Sequence, residues 1–145
     1  MLRTGFIGEY EHSLDDKDRV SIPSKYKKYV EDIADKPEAR ELLILAKAPG
    51  KKRCIEAIPV QDWERLAEDY RKSVTLKDET GEADDKIWQK SRRAFEAVID
   101  RTGRIRIPSK LKEYAGIGKK VIFIGAIDRF QIWGEAELKK FDSGI

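Results

Sequence analysis

The sequence predicts an α+β fold built from two pseudo-symmetric halves with flanking helices. The main observation is a repeated segment, DDKDRVSIPSKYKKY at 15–29 and DRTGRIRIPSKLKEY at 100–114. Each copy is followed by short apolar runs separated by turn residues, which is typical of β-hairpins. Two stretches with helical periodicity lie between the copies.

The repeat places turn-forming residues at matching positions. Asp15 corresponds to Asp100 and Arg19 to Arg104, and the aspartate side chain can accept hydrogen bonds from turn amides. Gly103 supplies a residue that adopts positive φ without strain, as a tight turn requires. The further matches are Val20 with Ile105, Ile22 with Ile107, Pro23 with Pro108, Ser24 with Ser109, Lys25 with Lys110 and Tyr29 with Tyr114.

The elements that follow each turn are predicted from local patterns. In the first half we expect a charged helix to about Arg40, then strands at ELLILAK and RCIEAIPV joined by the turn APGK. In the second half Ser109 is expected to cap a short helix, followed by strands at VIFIGA and FQIW and by a helix at GEAELKKF. Pro108 ends its strand because proline cannot donate to the ladder.

The middle of the chain is predicted to be helical. In 61–73 the apolar residues Trp63, Leu66, Ala67 and Tyr70 fall on one helical face, and Asp62 lies near the helix start. We expect an exposed loop at 75–85 and a second helix at 87–95. The predicted division is a first repeat at 8–60, connecting helices at 61–94 and a second repeat at 95–138.

Composition limits the classes of function. The chain has 145 residues, 30 basic against 27 acidic, so the net charge of +3 does not by itself predict a nucleic-acid partner. One cysteine and one histidine exclude an intrachain disulfide and argue against a zinc site or a catalytic triad. We expect no cofactor, no metal, no enzymatic activity and no membrane segment, and a cytoplasmic location.

Four segments together resemble the MraZ family of bacterial transcriptional regulators, which carries two SpoVT/AbrB-like repeats. They are GEYEHSLDDKDRVSIPSKYKKYV, CIEAIPVQDWERL, VIDRTGRIRIPSKLKEYAGI and VIFIGAIDRFQIW, and the resemblance runs from Gly8 to Trp133. The family's first turn usually reads Asp-x-Lys-Gly-Arg, whereas this chain has Asp18 in place of the glycine.

The resemblance implies a double swapped-hairpin, AbrB-like β-barrel and a homo-oligomeric ring of about eight or more subunits. It also implies binding to double-stranded DNA at short direct repeats in a promoter, with repression of the cell-division and cell-wall gene cluster and association with the nucleoid. The arginine of the family's turn contacts DNA, and this role carries over to Arg19 and, through the repeat, to Arg104.

Further residues are candidates for DNA binding, for turn structure and for the core. The DNA-binding candidates are Arg19, Lys17, Arg3, Arg104, Arg101 and Arg106, with Arg3 expected on an N-terminal arm near the same face. Asp15, Asp100 and Gly103 are expected to structure the turns. Core packing is favoured over base stacking for Trp63, Trp88, Trp133, Phe95 and Phe130. Two alternatives stay open, namely a ring-forming protein-interaction module without DNA binding and, less favoured by the residues, a small β-barrel enzyme.

Overall fold

The structure is a computed structural model that describes residues 3–73 and 79–144. It has a mixed α+β architecture, in agreement with the predicted class. Along the chain the elements are β1 (Glu9–Ser13), β2 (Arg19–Ser21), α1 (Ser24–Ile33), a 3₁₀ helix (Pro37–Glu41), β3 (Leu42–Lys47), β4 (Ile55–Pro59), α2 (Val60–Ser73), α3 (Glu82–Arg92), β5 (Phe95–Val98), β6 (Arg104–Arg106), α4 (Ser109–Tyr114), β7 (Lys120–Gly125), β8 (Phe130–Gly134) and α5 (Glu135–Asp142).

The strands of the two halves pair with each other. Six strands form an antiparallel sheet in the order β1-β7-β8-β4-β3-β5, and β2 pairs with β6 in a separate two-stranded sheet. Each early strand of one half therefore lies beside a strand of the other half: β1 beside β7, β5 beside β3, and β2 beside β6. The halves cannot bury their apolar faces independently, because strands of both halves are interleaved in the same sheets.

The larger of two apolar clusters among the described residues draws side chains from both halves. The buried faces of β2 and β6 contribute Val20 and Ile105, and an aromatic cluster fills the space beneath the six-stranded sheet. In that cluster the ring of Phe130 lies 4.8 Å from Tyr26 and 5.2 Å from Phe6, measured between centroids. Both turns are thus attached to the same core through the strands that follow them.

The helices in the middle of the chain differ from the prediction. The helix α3 begins at Glu82, five residues earlier than expected, and Phe95 begins strand β5 rather than ending the helix. The predicted loop at 75–85 therefore ends early, and its residues 75–78 lie outside the described residues. Trp88, expected in the core, is 55% exposed and stacks under Arg92, whose guanidinium carbon is 4.3 Å from the ring centroid.

Some of the other residues predicted to lie in the core or to cap a helix do so, and others do not. Trp133 and Phe130 are fully buried, as predicted, while Phe95 and Trp63 are only half-buried. Ser109 is the first residue of α4 rather than its cap; Pro108 occupies the cap position, and no side chain caps the helix. Within the described residues, no helix is long and apolar enough to cross a membrane.

Candidate nucleic-acid interface

The two repeated turns meet in a single antiparallel ribbon. Arg19 lies opposite Arg106 and Ser21 lies opposite Arg104 in the register of β2 and β6. The ribbon extends past the strands, because the Ile22 amide donates to the Gly103 carbonyl at 3.0 Å and the Ile107 amide donates to the Asp18 carbonyl at 2.8 Å.

Side chains alternate across this ribbon, so its two faces differ. Val20 and Ile105 point into the core, while the opposite face carries Arg19, Ser21, Arg104 and Arg106. We call this face, with its three arginines, the arginine ribbon. Arg106 is exposed, and it forms no ion pair with any of the described residues.

Asp15 organises the first turn and reaches the second. One carboxylate oxygen, Oδ1, accepts hydrogen bonds from the backbone amides of Lys17 at 2.8 Å and of Arg19 at 2.9 Å. The other, Oδ2, accepts from Arg19 Nε at 2.8 Å and from Arg104 Nη1 at 3.5 Å. One carboxylate thus orients an arginine from each half.

Asp100 has the matching backbone role in the second turn, pairs with Arg104 Nε at 3.4 Å through Oδ2, and has an additional side-chain partner in Thr102. Its Oδ1 accepts from the Arg104 amide at 3.0 Å and from the Thr102 amide at 2.9 Å. The Thr102 hydroxyl donates to the same oxygen and in turn accepts from Arg104 Nε at 2.8 Å. Thr102 therefore positions Arg104, a contribution that sequence reasoning missed because Lys17 holds the equivalent place in the first turn.

These hydrogen bonds lower the pKa of both aspartates. The backbone amide of Arg19 is the main cause at Asp15, because hydrogen bonds to a carboxylate favour its charged form. At Asp100 the Arg104 amide and the Thr102 hydroxyl lower the pKa to about 2. Both carboxylates are therefore charged at neutral pH and hold the arginines through charge-assisted bonds.

Asp18 occupies the turn position that the second copy fills with Gly103. Its φ of 59° is left-handed, as is the 81° of Gly103, so the two turns share a backbone shape. The Asp18 carboxylate accepts a hydrogen bond from Lys112 Nζ at 2.9 Å. Lys27 is the repeat equivalent of Lys112, and its side chain lies against Gly103 in the second turn. A β-carbon added to Gly103 would lie 3.2 Å from Cδ of Lys27. The extra charge of Asp18 is thus partly neutralised by a lysine from the opposite half.

The remaining DNA-binding candidates lie in different parts of the structure. Lys17 and Arg101 lie in the two turns with exposed side chains beside the arginine ribbon. Arg3 does not: Phe6 pairs with Ile127 beyond the start of β1, and the five residues of β1, about 17 Å long, separate that point from the first turn. The segment that carries Arg3 therefore joins the fold at the far end of β1 from the first turn, and a role of Arg3 in DNA binding stays a prediction.

His12 and Cys54, the one histidine and the one cysteine of the sequence, both have structural contacts. His12 Nδ1 contacts the Ser21 carbonyl oxygen, and its ring meets Phe123 edge-on. Cys54 is buried, and burial raises the pKa of its thiol to about 12. No group of three or more side chains suited to metal binding occurs in the part of the chain that the structure describes.

Comparison with known proteins identifies relatives over nearly the whole length. A family model described as "MraZ protein, putative antitoxin-like" matches residues 6–85 and 91–144. A transcriptional regulator MraZ of Clostridium beijerinckii is 32% identical over 137 residues, covering 94% of this chain and 87% of the relative. Proteins of the same name from Clostridium botulinum and Alkaliphilus oremlandii are 36% and 35% identical, covering 88% and 95% of this chain and 80% and 87% of the relatives.

Proposed function

The chain belongs to the MraZ family, and from this premise we propose that it is a sequence-specific DNA-binding transcriptional regulator. The proposed reading surface is the arginine ribbon. The observation that carries the proposal is the shared carboxylate of Asp15, which orients Arg19 and Arg104 together on the solvent side of one two-stranded ribbon.

The chemistry of this surface suits a DNA duplex. The major groove of B-DNA admits a two-stranded β-ribbon, and a planar guanidinium can donate two hydrogen bonds to guanine O6 and N7. Arginines that are already held by hydrogen bonds lose less side-chain freedom on binding. In this arrangement Arg19, Arg104 and Arg106 contact bases or phosphates, while Lys17 and Arg101 contact phosphates at the flanks and position the protein.

The proposal includes an oligomer that acts on adjacent sites. One small ribbon offers few contacts, whereas linked subunits that bind neighbouring repeats gain affinity through effective concentration. A homo-oligomeric ring places its subunits in a head-to-tail order that matches short direct repeats, whereas a two-fold dimer would match a palindrome. On this proposal the protein represses the cell-division and cell-wall gene cluster from a promoter and is associated with the nucleoid in the cytoplasm.

The finer description of the fold is also a proposal. The strand pairs that cross between halves, β1 with β7, β3 with β5 and β2 with β6, support a double swapped-hairpin barrel of the AbrB type. The repeat boundaries at 8–60 and 95–138, with connecting helices at 61–94, stay a prediction.

The test is DNA binding by the wild-type protein and by Arg19→Ala. Genome-wide mapping with purified protein identifies the bound sites, and fluorescence anisotropy then measures affinity for the best site and for a scrambled duplex. We expect enriched short direct repeats, and we expect Arg19→Ala to abolish specific binding while sedimentation velocity shows an unchanged oligomer.

The matched control is Arg65→Ala, which removes an exposed arginine paired with Asp62 on α2. This variant is expected to bind like the wild type. Normal binding by Arg19→Ala would refute the site, and the absence of any enriched repeat would refute direct-repeat recognition. Failure of the wild type to bind any duplex at low salt would favour the protein-interaction module.

A further inference from the structure

A second basic surface lies away from the arginine ribbon, on the hairpin between β3 and β4. Lys47, Lys51, Lys52 and Arg53 place four positive charges in seven residues, and that segment contains no acidic residue. Among the ion pairs of the described residues, none involves any of these four side chains. We call these four residues the basic hairpin.

The basic hairpin is organised by one aromatic side chain from the other half. Lys47 Nζ lies 4.3 Å and the Arg53 guanidinium carbon 4.6 Å from the ring centroid of Tyr114, which ends α4. Arg53 Nη2 also donates to the Tyr114 carbonyl at 3.2 Å. Two like charges are therefore drawn to the same ring, where cation–π attraction offsets part of their mutual repulsion.

The internal repeat shows that this arrangement is specific to the second half. Tyr29, the equivalent of Tyr114, packs its ring against Phe6 at a centroid distance of 4.8 Å and belongs to the edge of the core. Tyr114 instead supports cations at the surface. The Tyr114 hydroxyl also donates to the Lys52 carbonyl at 3.5 Å, so the end of α4 holds the basic hairpin through the ring, the hydroxyl and the backbone carbonyl of Tyr114.

We propose that the basic hairpin is a second DNA contact that binds backbone phosphates. This inference rests on the proposed function and extends it to residues outside the repeated turns. Cations that lack acidic partners retain their full capacity to neutralise an anion, and a duplex presents a closely spaced row of phosphates. The contact adds affinity and fixes orientation but carries no sequence information.

The short helix α4 links the arginine ribbon to Tyr114, against which the basic hairpin lies. Two residues separate the end of β6 from the start of α4, which has six residues and is about 9 Å long. Tyr114 therefore lies about the length of one short helix from the end of β6, and this separation is shorter than the rise of one turn of DNA. One acidic residue, Glu137, lines a cleft together with Lys51 and Arg53, and it is paired with Lys140 at 3.8 Å.

The experiment compares two double variants of equal charge change in the full chain. Lys51→Gln with Lys52→Gln removes two charges from the basic hairpin and leaves the two cations on Tyr114 in place. The control, Lys36→Gln with Arg65→Gln, removes two exposed cations that are already paired with Glu64 and Asp62. Thermal melts confirm that both variants fold.

Affinity for the mapped site and for a scrambled duplex is measured over a salt series. The hairpin variant is expected to bind both duplexes on the order of tenfold more weakly at 0.1 M salt. Its slope of log K against log salt should be shallower by about 1.8, because each phosphate contact contributes about 0.9. The ratio of specific to scrambled affinity should stay unchanged, and the control should match the wild type.

The outcomes separate this inference from the proposed function. Wild-type binding together with an unchanged slope in the hairpin variant overturns the second contact alone and points to an acidic protein partner for the basic hairpin. Absence of wild-type binding overturns both. A changed ratio of specific to scrambled affinity would also contradict the proposal, since a phosphate contact does not discriminate between sequences.

Discussion

Replacing Asp18 tests whether the unusual residue in the first turn weakens DNA binding. The side chain is about one-third exposed and paired with Lys112 at 2.9 Å, and the backbone is left-handed. Asp18→Gly restores the residue that the second turn has at Gly103, removes one negative charge and releases Lys112. We expect tighter binding with little change in stability.

The size of the stability change follows from three opposing contributions. A left-handed backbone destabilises a residue with a β-carbon by on the order of 1 kcal/mol. Glycine has no such cost, so this contribution favours the Asp18→Gly variant. An ion pair at this exposure is worth about 0 to 1 kcal/mol, and glycine lowers stability by roughly 0.5 to 1 kcal/mol through the greater freedom of the unfolded chain. These contributions nearly cancel, so the free energy of unfolding should change by less than about 1 kcal/mol.

The change in binding comes from charge. A carboxylate about 8 Å from a phosphate repels it in water by about 0.5 kcal/mol, which corresponds to roughly a twofold to threefold change in Kd. If Lys112 then contacts a phosphate, the salt slope steepens by about 0.9. Asp18→Asn separates the effect of charge from the effect of backbone conformation, because asparagine also tolerates the left-handed conformation but carries no charge.

The assay is anisotropy titration of one DNA site over a salt series, with a melt of each variant. Gly103→Asp is the matched reverse change, and it should weaken binding because it adds a carboxylate at the equivalent position. If Asp18→Gly binds more weakly than the wild type, Asp18 makes a contact that stabilises the complex and the charge argument is wrong. Equal binding by Asp18→Asn and the wild type would show that charge is not the cause.

Three further predictions concern the turns and the core. Asp15→Ala should lower Tm by scanning calorimetry, because two backbone amides and two guanidinium groups lose their acceptor; an unchanged Tm would contradict this. Since the pKa of Asp100 is depressed to about 2, its stabilising effect is present above about pH 4 and is lost as pH falls toward 2, so Asp100→Asn should flatten the acid side of the stability profile in urea titrations. Phe130→Ala should cost about 3 to 5 kcal/mol in urea unfolding, and a loss below about 1 kcal/mol would show that the aromatic cluster collapses around the cavity.

The repeated turns could be predicted because their chemistry is local. An aspartate that bonds amides two and four residues later, followed by an arginine and an alternating strand, is visible within a few positions of sequence. The resemblance to the MraZ family, drawn from those turns and the flanking segments, was confirmed by the family comparison. The strands and hairpins after each turn were also found close to their predicted places.

The contacts between distant residues could not be predicted. Lys112 and Asp18 are separated by most of the chain, and no local pattern joins them. Periodicity indicated a helix around Trp88 but could not show which face is covered, so an aromatic residue expected in the core proved to be exposed. The place where the segment before β1 joins the fold is a similar case, since only the pairing of Phe6 with Ile127 shows it.

The differences between the two turns have a consequence for how a ribbon of this kind would meet DNA. The backbones at positions 18 and 103 are nearly equivalent, so a ribbon with identical turns would bind a duplex equally well in either orientation. Direct repeats have a direction, and a protein can follow it only through features that break the approximate symmetry. The pair of Asp18 with Lys112, the contact of Thr102 with Arg104, and the basic hairpin on Tyr114 each occur once, and none of them is repeated at the equivalent positions of the described residues. If the proposed operator consists of direct repeats, these asymmetric features, rather than the repeated Asp-x-x-x-Arg turns, determine the orientation of each subunit.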